Sequence, residues 1–392
     1  MGDLVHDLTK KVRADARARQ LANAVEQTAD SVIITDRSGR IEYVNPAFER
    51  TTGYGAEEAL GQTPRLLKSG EHSPEYYRAI WASLLAGEVV RGVLVNRKKS
   101  GEHYWAEQTI TPMRDAMGVI TSFVSVVKDI TDLRKRQEQE IELRLAASIQ
   151  HRLYPVAAPI VDGFDLAART VPAGAMNGDY FDFVRLRGGA LAVAIGDVCG
   201  HGLGQALLMA ETRAYLRSLA REHDEVGVIL TNLDRLIAPD LEPGQFVSLL
   251  LVSIDPRTGL LCYANAGHEP GHLVDASGAV KLVLGSTGLP LGLPDEVNTA
   301  RLVAAGPAVR MADGDVLALL TDGIAEAESP DGVALGGQGA LAVIRGHAGA
   351  SAQATVDGLV DAVRDFAGGA PQRDDITLIV CRRLEHTGPV RG

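Results

Sequence analysis

The stretch LAVAIGDVCGHG, residues 191–202, carries an apolar run directly into an aspartate and then into a glycine-rich bend. The run from Ala190 to Ile195 is followed by Gly196 and Asp197. Such a run predicts a buried strand, and the glycines after it predict a sharp turn. Because an unpaired carboxylate is costly to bury, the aspartate at the end of this strand needs a partner.

Other apolar runs in the C-terminal half also meet aspartates. Asp322 follows VLALLT, Asp374 and Asp375 open DDITLIV, and Asp179 and Asp182 lie in NGDYFDF. Carboxylates gathered at neighbouring strand ends would raise each other's pKa, and a hard divalent cation would relieve their repulsion. A single Asp-Gly pair after a strand predicts only a turn. The hypothesis of a metal site therefore depends on all of these aspartates together.

Composition limits the classes of function. The chain has 392 residues, 46% of them hydrophobic, and a formal net charge of −11. Its length predicts two or three globular domains, and its negative charge argues against nucleic acid or a membrane surface as the main partner. The three scattered cysteines form neither a zinc pattern nor a disulfide framework. With no signal peptide and no apolar run near the ~18 residues of a membrane helix, we expect a cytoplasmic protein.

The order of predicted elements gives an α+β fold in five parts. These are an N-terminal helix over 1–22, a domain of five strands with helices over 23–132, a helix over 133–153, a mixed α+β domain over 154–385, and a tail over 386–392.

The connecting helix contains no glycine or proline and carries an apolar stripe. The stripe consists of Leu133, Ile141, Leu145, Ile149 and Leu153. Two interpretations remain open: the helix packs on its own domain, or it pairs with the same helix of a second subunit. We expect a parallel homodimer formed through the front domain and this helix.

Five motifs in the C-terminal domain, NGDYFDF, GDVCGHG, NAGHEP, LLTDGIAEA and QRDDITLIV, resemble the series of the SpoIIE-type branch of the metal-dependent (PPM) protein phosphatases. LAASIQHRLYP resembles the helix that enters that domain. The resemblance covers about residues 145–383. It implies an α/β/β/α sandwich with two Mn²⁺ or Mg²⁺ ions at one edge, where a metal-bound water attacks a phosphoserine or phosphothreonine.

The resemblance also assigns ligands. It implies that Asp197 bridges the two ions and that the backbone carbonyl of Val198 ligates as well. Asp179 would serve one ion, and Asp322 and Asp374 the other. These residues would act in catalysis only through the metal-held water, since no protein nucleophile is implied.

Several neighbours receive supporting roles or none. Asp375 and Asn177 would act behind the direct ligands, with Asn177 standing where the family commonly has the first of two glycines. Since asparagine tolerates left-handed backbone, we expect the turn there to survive. His201 is interpreted as a loop residue without a ligand role, and Asn265 and His268 as residues that hold a turn.

Residues 23–132 resemble a PAS sensor domain, through NPAFERTTGYGAEEALGQTPRLLKSG, VNRKKSGEHYWAEQTITPMRD and KDIT. The domain contains no cysteine, which excludes the cysteinyl photochemistry of light-sensing flavin PAS domains. The leading interpretation is an empty or peptide-binding domain that dimerises, and the ligand, if any, is unknown.

The departure from the light-sensing class lies at particular positions. Pro64 stands where that class has its reactive cysteine, and Ala106 and Val127 replace two amides that hold flavin. Arg65 and Asn96 match the class.

Together these features predict a sensor-regulated protein phosphatase. The resemblance implies a small phosphoprotein as its substrate, an anti-sigma-factor antagonist of the STAS fold. The alternative is a catalytically weak scaffold of the same fold that binds its partner without turnover. The retained aspartates favour the enzyme.

Overall fold

The computed structural model describes residues 13, 16–17, 19–174, 176–200, 202–294, 297 and 302–385. The chain forms two compact units, residues 1–140 and 141–392. None of the helices in these described ranges is long and apolar enough to cross a membrane.

The N-terminal unit is built on a five-stranded antiparallel sheet with the order β2-β1-β5-β4-β3. Its strands are β1 (Ser31–Asp36), β2 (Ile41–Val44), β3 (Val90–Arg97), β4 (His103–Arg114) and β5 (Ile120–Asp129). Its helices are α1 (Pro46–Thr52), α2 (Ala56–Ala59) and α3 (Pro74–Ala86), with a 3₁₀ turn at Pro64–Leu67. This confirms the five strands with helices that were predicted for this part of the chain. Residues 19–27 are helical as well, and the start of the predicted N-terminal helix lies outside the described residues.

Short polar side chains fix the local geometry of this unit. The first hairpin closes on Asp36, whose Oδ1 accepts hydrogen bonds from the amides of Ser38 and Arg40, both at 2.8 Å. Helix α1 begins at Asn45, whose Oδ1 accepts from the amide of Phe48 at 3.0 Å. These are the Asx-turn and N-cap contacts that such residues favour.

The connecting helix, α4, extends over Thr131–His151. Its first residue, Thr131, accepts a hydrogen bond from the amide of Trp105 at 2.9 Å through Oγ1. The side chains of Ile141, Leu145 and Ile149 are 66%, 61% and 57% exposed. Leu153, which was predicted to extend this stripe, lies beyond the end of the helix and is half-buried.

The C-terminal unit contains two five-stranded antiparallel sheets, with the orders β13-β10-β9-β8-β7 and β12-β11-β14-β15-β6. The strands are β6 (Phe164–Val171), β7 (Asp179–Arg185), β8 (Leu191–Val198), β9 (Val247–Ile254), β10 (Leu260–Ala266), β11 (Gly271–Val274), β12 (Val280–Leu284), β13 (Val309–Arg310), β14 (Val316–Leu320) and β15 (Ile376–Arg383). The helices are α5 (Leu203–Glu222), α6 (Val226–Ile237), α7 (Asp322–Ala325), α8 (Gly336–Gly346) and α9 (Ala352–Ala367), with a 3₁₀ turn at Ala238–Asp240.

The two sheets pack face to face between two helical layers. On β15, Ile379 belongs to the core shared by the two sheets, whereas Leu378 and Val380 belong to the core beneath α8 and α9. This alternation is the period of two that a strand buried on both faces requires. Helices α5 and α6 cover the other sheet. The predicted α/β/β/α sandwich is therefore confirmed.

Sequence patterns missed some elements of this unit. Helix α8 has the sequence GGQGALAVIRG, and its glycines predict a loop. The helix forms because Ala340, Leu341 and Ile344 share one face and are buried against the second sheet. Burial of that face outweighs the low helix propensity of glycine.

Candidate metal centre

Two of the predicted ligands face each other on neighbouring strands of the first sheet. Asp179 begins β7 and pairs directly with Asp197 near the end of β8. Side chains directly opposite on an antiparallel pair stand on the same face of the sheet. The register of this strand pair therefore brings together two carboxylates that are 18 positions apart in the sequence.

The second sheet supplies the other two predicted ligands, at the ends of its inner strands β14 and β15. Asp322 is the first residue of α7, two residues beyond the end of β14, and Asp374 lies two residues before β15, which pairs with β14. Thr321 joins the two sheets, because its hydroxyl donates a hydrogen bond of 2.9 Å to Oδ2 of Asp179. The strand ends that carry the predicted ligands thus meet at one edge of the sandwich.

Electrostatics show that these carboxyl groups interact. The pKa of Asp197 is raised to about 7, first by burial and then by the charges of Asp322, Asp374 and Asp375. Burial raises the pKa of Asp179 well above its usual value, and the charge of Asp197 raises it further. Burial and then Asp374 raise the pKa of Asp322. This carboxylate cluster, Asp179, Asp197, Asp322 and Asp374, is unfavourable without a counter-ion.

The donor chemistry of the carboxylate cluster fits a hard divalent cation. Its side chains offer only oxygen ligands, which Mg²⁺ and Mn²⁺ prefer. Among the residues that the structure describes, no three acidic, histidine or cysteine side chains stand close enough together to hold one ion.

Asp375 and Asn177 hold the loop that precedes Asp179. The carboxylate of Asp375 accepts hydrogen bonds from the amides of Ala173 and Gly178, both at 2.7 Å. Oδ1 of Asn177 accepts from the amide of Asp179 at 2.8 Å. In each of these contacts a side-chain oxygen accepts from a backbone amide.

The polar contacts of the entry helix were not evident from the sequence. Gln150, near the end of α4, accepts a hydrogen bond from the amide of Asn177 at 3.1 Å through Oε1, and its Nε2 donates to the Asn177 carbonyl. Tyr154 donates through its hydroxyl to the carbonyl of Asp179 at 2.6 Å. The sequence did not indicate either contact, because each joins residues 25 or more positions apart.

One aspartate grouped with the others in the sequence does not belong to the carboxylate cluster. Asp182 lies within β7, fully buried, and forms a two-pronged ion pair with Arg217 of α5 at 2.6 and 2.7 Å. Arg213 lies 3.8 Å away, and Tyr180 donates to the same carboxylate. The charge of Asp182 is therefore balanced by arginine and needs no metal.

Three further residues singled out in the sequence are Asn265, Cys199 and His201. Oδ1 of Asn265 accepts from the amide of His268 at 2.8 Å, and its Nδ2 donates to the carbonyl of the same residue, as expected for a held turn. Cys199 accepts a hydrogen bond from the amide of Phe246. His201 lies outside the described residues.

In the N-terminal unit, the two positions that depart from the light-sensing class are apolar and buried. Ala106 and Val127 are 0% and 3% exposed. Asn96 is also buried, and its Nδ2 contacts the hydroxyl of Tyr104 at 3.4 Å. Ala106 and Val127 therefore offer no side-chain donor to a flavin ring.

Gly323, which follows Asp322, is required by close packing. A Cβ atom at this position would overlap the backbone carbonyl of Asp375. We predict that Gly323→Ala lowers the free energy of unfolding by about 1–3 kcal/mol, because the backbone beside two of the acidic residues must move. Urea denaturation measures this change.

The matched control for Gly323→Ala is Gly337→Ala in α8, where an added Cβ meets no atom within 4 Å. This change should be neutral or stabilising, since alanine favours the helix. Equal midpoints for Gly323→Ala and wild type would contradict the packing argument.

Comparison with known proteins agrees with this architecture. The sequence profile of the Stage II sporulation protein E (SpoIIE) family matches residues 187–384, and that of the PAS fold matches residues 19–130. The first match includes Asp197, Asp322 and Asp374 and begins after Asp179.

Individual relatives match parts of the chain. Phosphoserine phosphatase RsbU of Bacillus subtilis is 29% identical over 251 residues, which is 63% of this chain and 72% of RsbU. A blue-light-activated histidine kinase of Brucella canis is 36% identical over 123 residues, 30% of this chain, and the match spans only 25% of the kinase.

A solved structure shares the fold of the C-terminal unit. The SiaA-PP2C domain of Pseudomonas aeruginosa superposes with a TM-score of 0.54 at 21% identity, covering 64% of this chain and 98% of that domain. With half of its length matched by one family profile and its front part by another, the chain belongs to the SpoIIE family and carries an N-terminal PAS domain.

Proposed function

We propose that this chain is a sensor-regulated, divalent-metal-dependent phosphatase that hydrolyses phosphoserine or phosphothreonine on a partner protein. The observation that carries the proposal is the carboxylate cluster, to which both sheets contribute acidic residues. Burial and neighbouring carboxylates raise the pKa of Asp179, Asp197 and Asp322. The family membership and the similarity to a phosphoserine phosphatase support it.

The cluster would hold two Mn²⁺ or Mg²⁺ ions. When bound, such ions lower the pKa of a water molecule and neutralise charge on the phosphoryl oxygens. Asp197 would be shared by both ions and the Val198 carbonyl would be a further ligand. Asp179 would serve one ion, and Asp322 and Asp374 the other. The hydroxyl of Thr321 orients the Asp179 carboxylate, and Asp375 holds the loop before it.

The substrate class follows from the family resemblance. We propose a small phosphoprotein of the STAS type, an anti-sigma-factor antagonist, as the partner. The test is release of phosphate from such a protein, phosphorylated on serine, by the full chain with Mn²⁺ and with a chelator in its place. Turnover that requires the metal supports the proposal. Tight binding without turnover at saturating Mn²⁺ would favour the scaffold instead.

A homodimer through the PAS domain and α4 is part of the proposal. Ile141, Leu145 and Ile149 recur at four-residue spacing on one side of α4 and are exposed. A helix with such a stripe is stabilised when a second apolar surface covers it, and the same helix of another subunit supplies one.

We predict that Ile149→Asp turns the dimer into a monomer at micromolar concentration, because the pair of helices would bury two uncompensated charges. Light scattering measures the mass. Arg136→Asp, an exposed position nine residues before Leu145 and therefore on the opposite face of α4, is the control and should leave the dimer intact. A monomeric wild type, or a dimeric Ile149→Asp variant, would contradict the proposed interface.

A further inference from the structure

The backbone carbonyl proposed as a metal ligand already has a partner within the chain. Nε2 of Gln205 donates a hydrogen bond to the carbonyl oxygen of Val198. Gln205 lies in the first turn of α5, seven residues after the carbonyl that it contacts. The bond joins the last residue of β8 to the first turn of α5.

The same amide lies directly over the loop before Asp179. A Cβ atom at Gly178 would overlap Nε2 of Gln205, so the side chain occupies space that exists only because residue 178 is glycine. The carbonyl of Gly178 in turn accepts a hydrogen bond of 3.4 Å from the amide of Val198. The Gln205 amide is therefore wedged between the two segments that carry Asp179 and Asp197.

The charge of this amide opposes a cation. An amide N–H is a donor with positive partial charge, and here it points at an oxygen that a divalent ion would take. A cation beside that oxygen would face the donor hydrogens, and both seek the electron density of the same carbonyl. The oxygen has two lone pairs and can accept both partners, but the donor hydrogens repel a cation beside them, so the hydrogen bond lowers the affinity of this carbonyl for the ion.

We propose that Gln205 is a gate on the metal site: its amide competes with the cation for the Val198 carbonyl, so that the first turn of α5 sets the metal affinity. The inference rests on the proposed function, because it takes the Val198 carbonyl to be a ligand. It assigns to Gln205 a positioning role that acts through Val198.

The test is calorimetric titration of the metal-free full chain with MnCl₂ alone. Gln205→Met keeps the length of the side chain without a donor, and Gln205→Ala removes it. Both should bind Mn²⁺ about 2- to 10-fold more tightly than wild type, the range expected when a competing hydrogen bond is lost. Gln205→Glu should bind more tightly still, since its carboxylate attracts the cation.

A second measurement separates competition from a general effect on folding. Without metal, Gln205→Met and Gln205→Ala should melt at a lower temperature than wild type, because the bond to Val198 is lost. Saturating Mn²⁺ should then raise their melting temperatures by more than it raises that of wild type. Gln353→Ala, which removes an exposed amide in α9, is the control and should change neither quantity.

The outcomes distinguish failure of the proposed metal site from failure of the role proposed for Gln205. If wild type binds Mn²⁺ no better than Asp197→Asn, the metal site is wrong and the gate fails with it. If Asp197→Asn loses binding but the Met and Ala variants at position 205 bind as wild type does, or more weakly, only the gate is wrong.

Discussion

Asp197→Asn should reduce Mn²⁺-dependent phosphatase activity by about 100-fold or more, the largest effect expected of any single change in this chain. The substitution keeps the shape of the side chain and removes the charge proposed to lie between both ions. Asp322→Asn and Asp374→Asn should act in the same direction. Phosphate release at saturating Mn²⁺ measures the effect.

The same variant should not lose stability when metal is absent. Burial and neighbouring charges raise the pKa of Asp197 to about 7, so at pH 8 the wild-type fold holds a charge that it disfavours. Asparagine carries no charge, and the metal-free variant should melt at the same temperature as wild type or higher. The gain should shrink as the pH falls through about 7, where the wild-type carboxyl takes up its proton.

Asp361→Asn, on the exposed face of α9, is the control and should keep full activity. Full Mn²⁺-dependent turnover by Asp197→Asn would overturn the proposed metal site. A folded but inactive Asp197→Asn protein that still binds Mn²⁺ as wild type does would place the metal elsewhere.

Arg217→Ala should cause the second large effect, a loss of about 2–3 kcal/mol in the free energy of unfolding. The change leaves the fully buried carboxylate of Asp182 without the partner that donates two hydrogen bonds to it. We place the loss at the lower end for buried ion pairs, because the Arg217 side chain is 40% exposed and Arg213 remains 3.8 Å from the carboxylate. Urea denaturation followed by circular dichroism measures it.

The chain offers a matched comparison in Arg364→Ala. Arg364 pairs with Asp361 at 3.4 Å on the surface of α9, where both side chains are more than 60% exposed. Breaking this pair should cost no more than about 0.5 kcal/mol. If the two variants unfold at the same urea concentration, the ion pair of Asp182 does not stabilise the fold as argued.

Much of the fold could be predicted from the sequence, because it follows from local patterns. Apolar runs bounded by turns predicted the strands β8 and β14, and the absence of glycine and proline predicted α4. Helix α8 could not be predicted in this way, since its glycines indicate a loop and only burial against the second sheet makes it a helix.

In the candidate site, too, some residues could be predicted from the sequence and others could not. Asp197, Asp322 and Asp374 were recognisable as aspartates at the ends of apolar runs. Asp182 carries the same local signal as Asp179, three positions earlier, yet the structure pairs it with Arg217. A pattern of residue types cannot separate a carboxylate that needs a metal from one that an arginine on a distant helix already neutralises.

The sequence by itself determined which residues could be strands and which carboxylates could be ligands, because hydrophobic period, turn residues and charge are properties of short segments. The tertiary structure alone decided which of them meet. The register of β7 on β8 places Asp179 opposite Asp197, and the packing of two sheets brings Asp322 to the same edge. The contact of Gln205 with Val198 has the same origin, since it depends on where α5 begins relative to the end of β8. Contacts of this kind depend on strand register and layer packing, to which residues far apart in the chain contribute together.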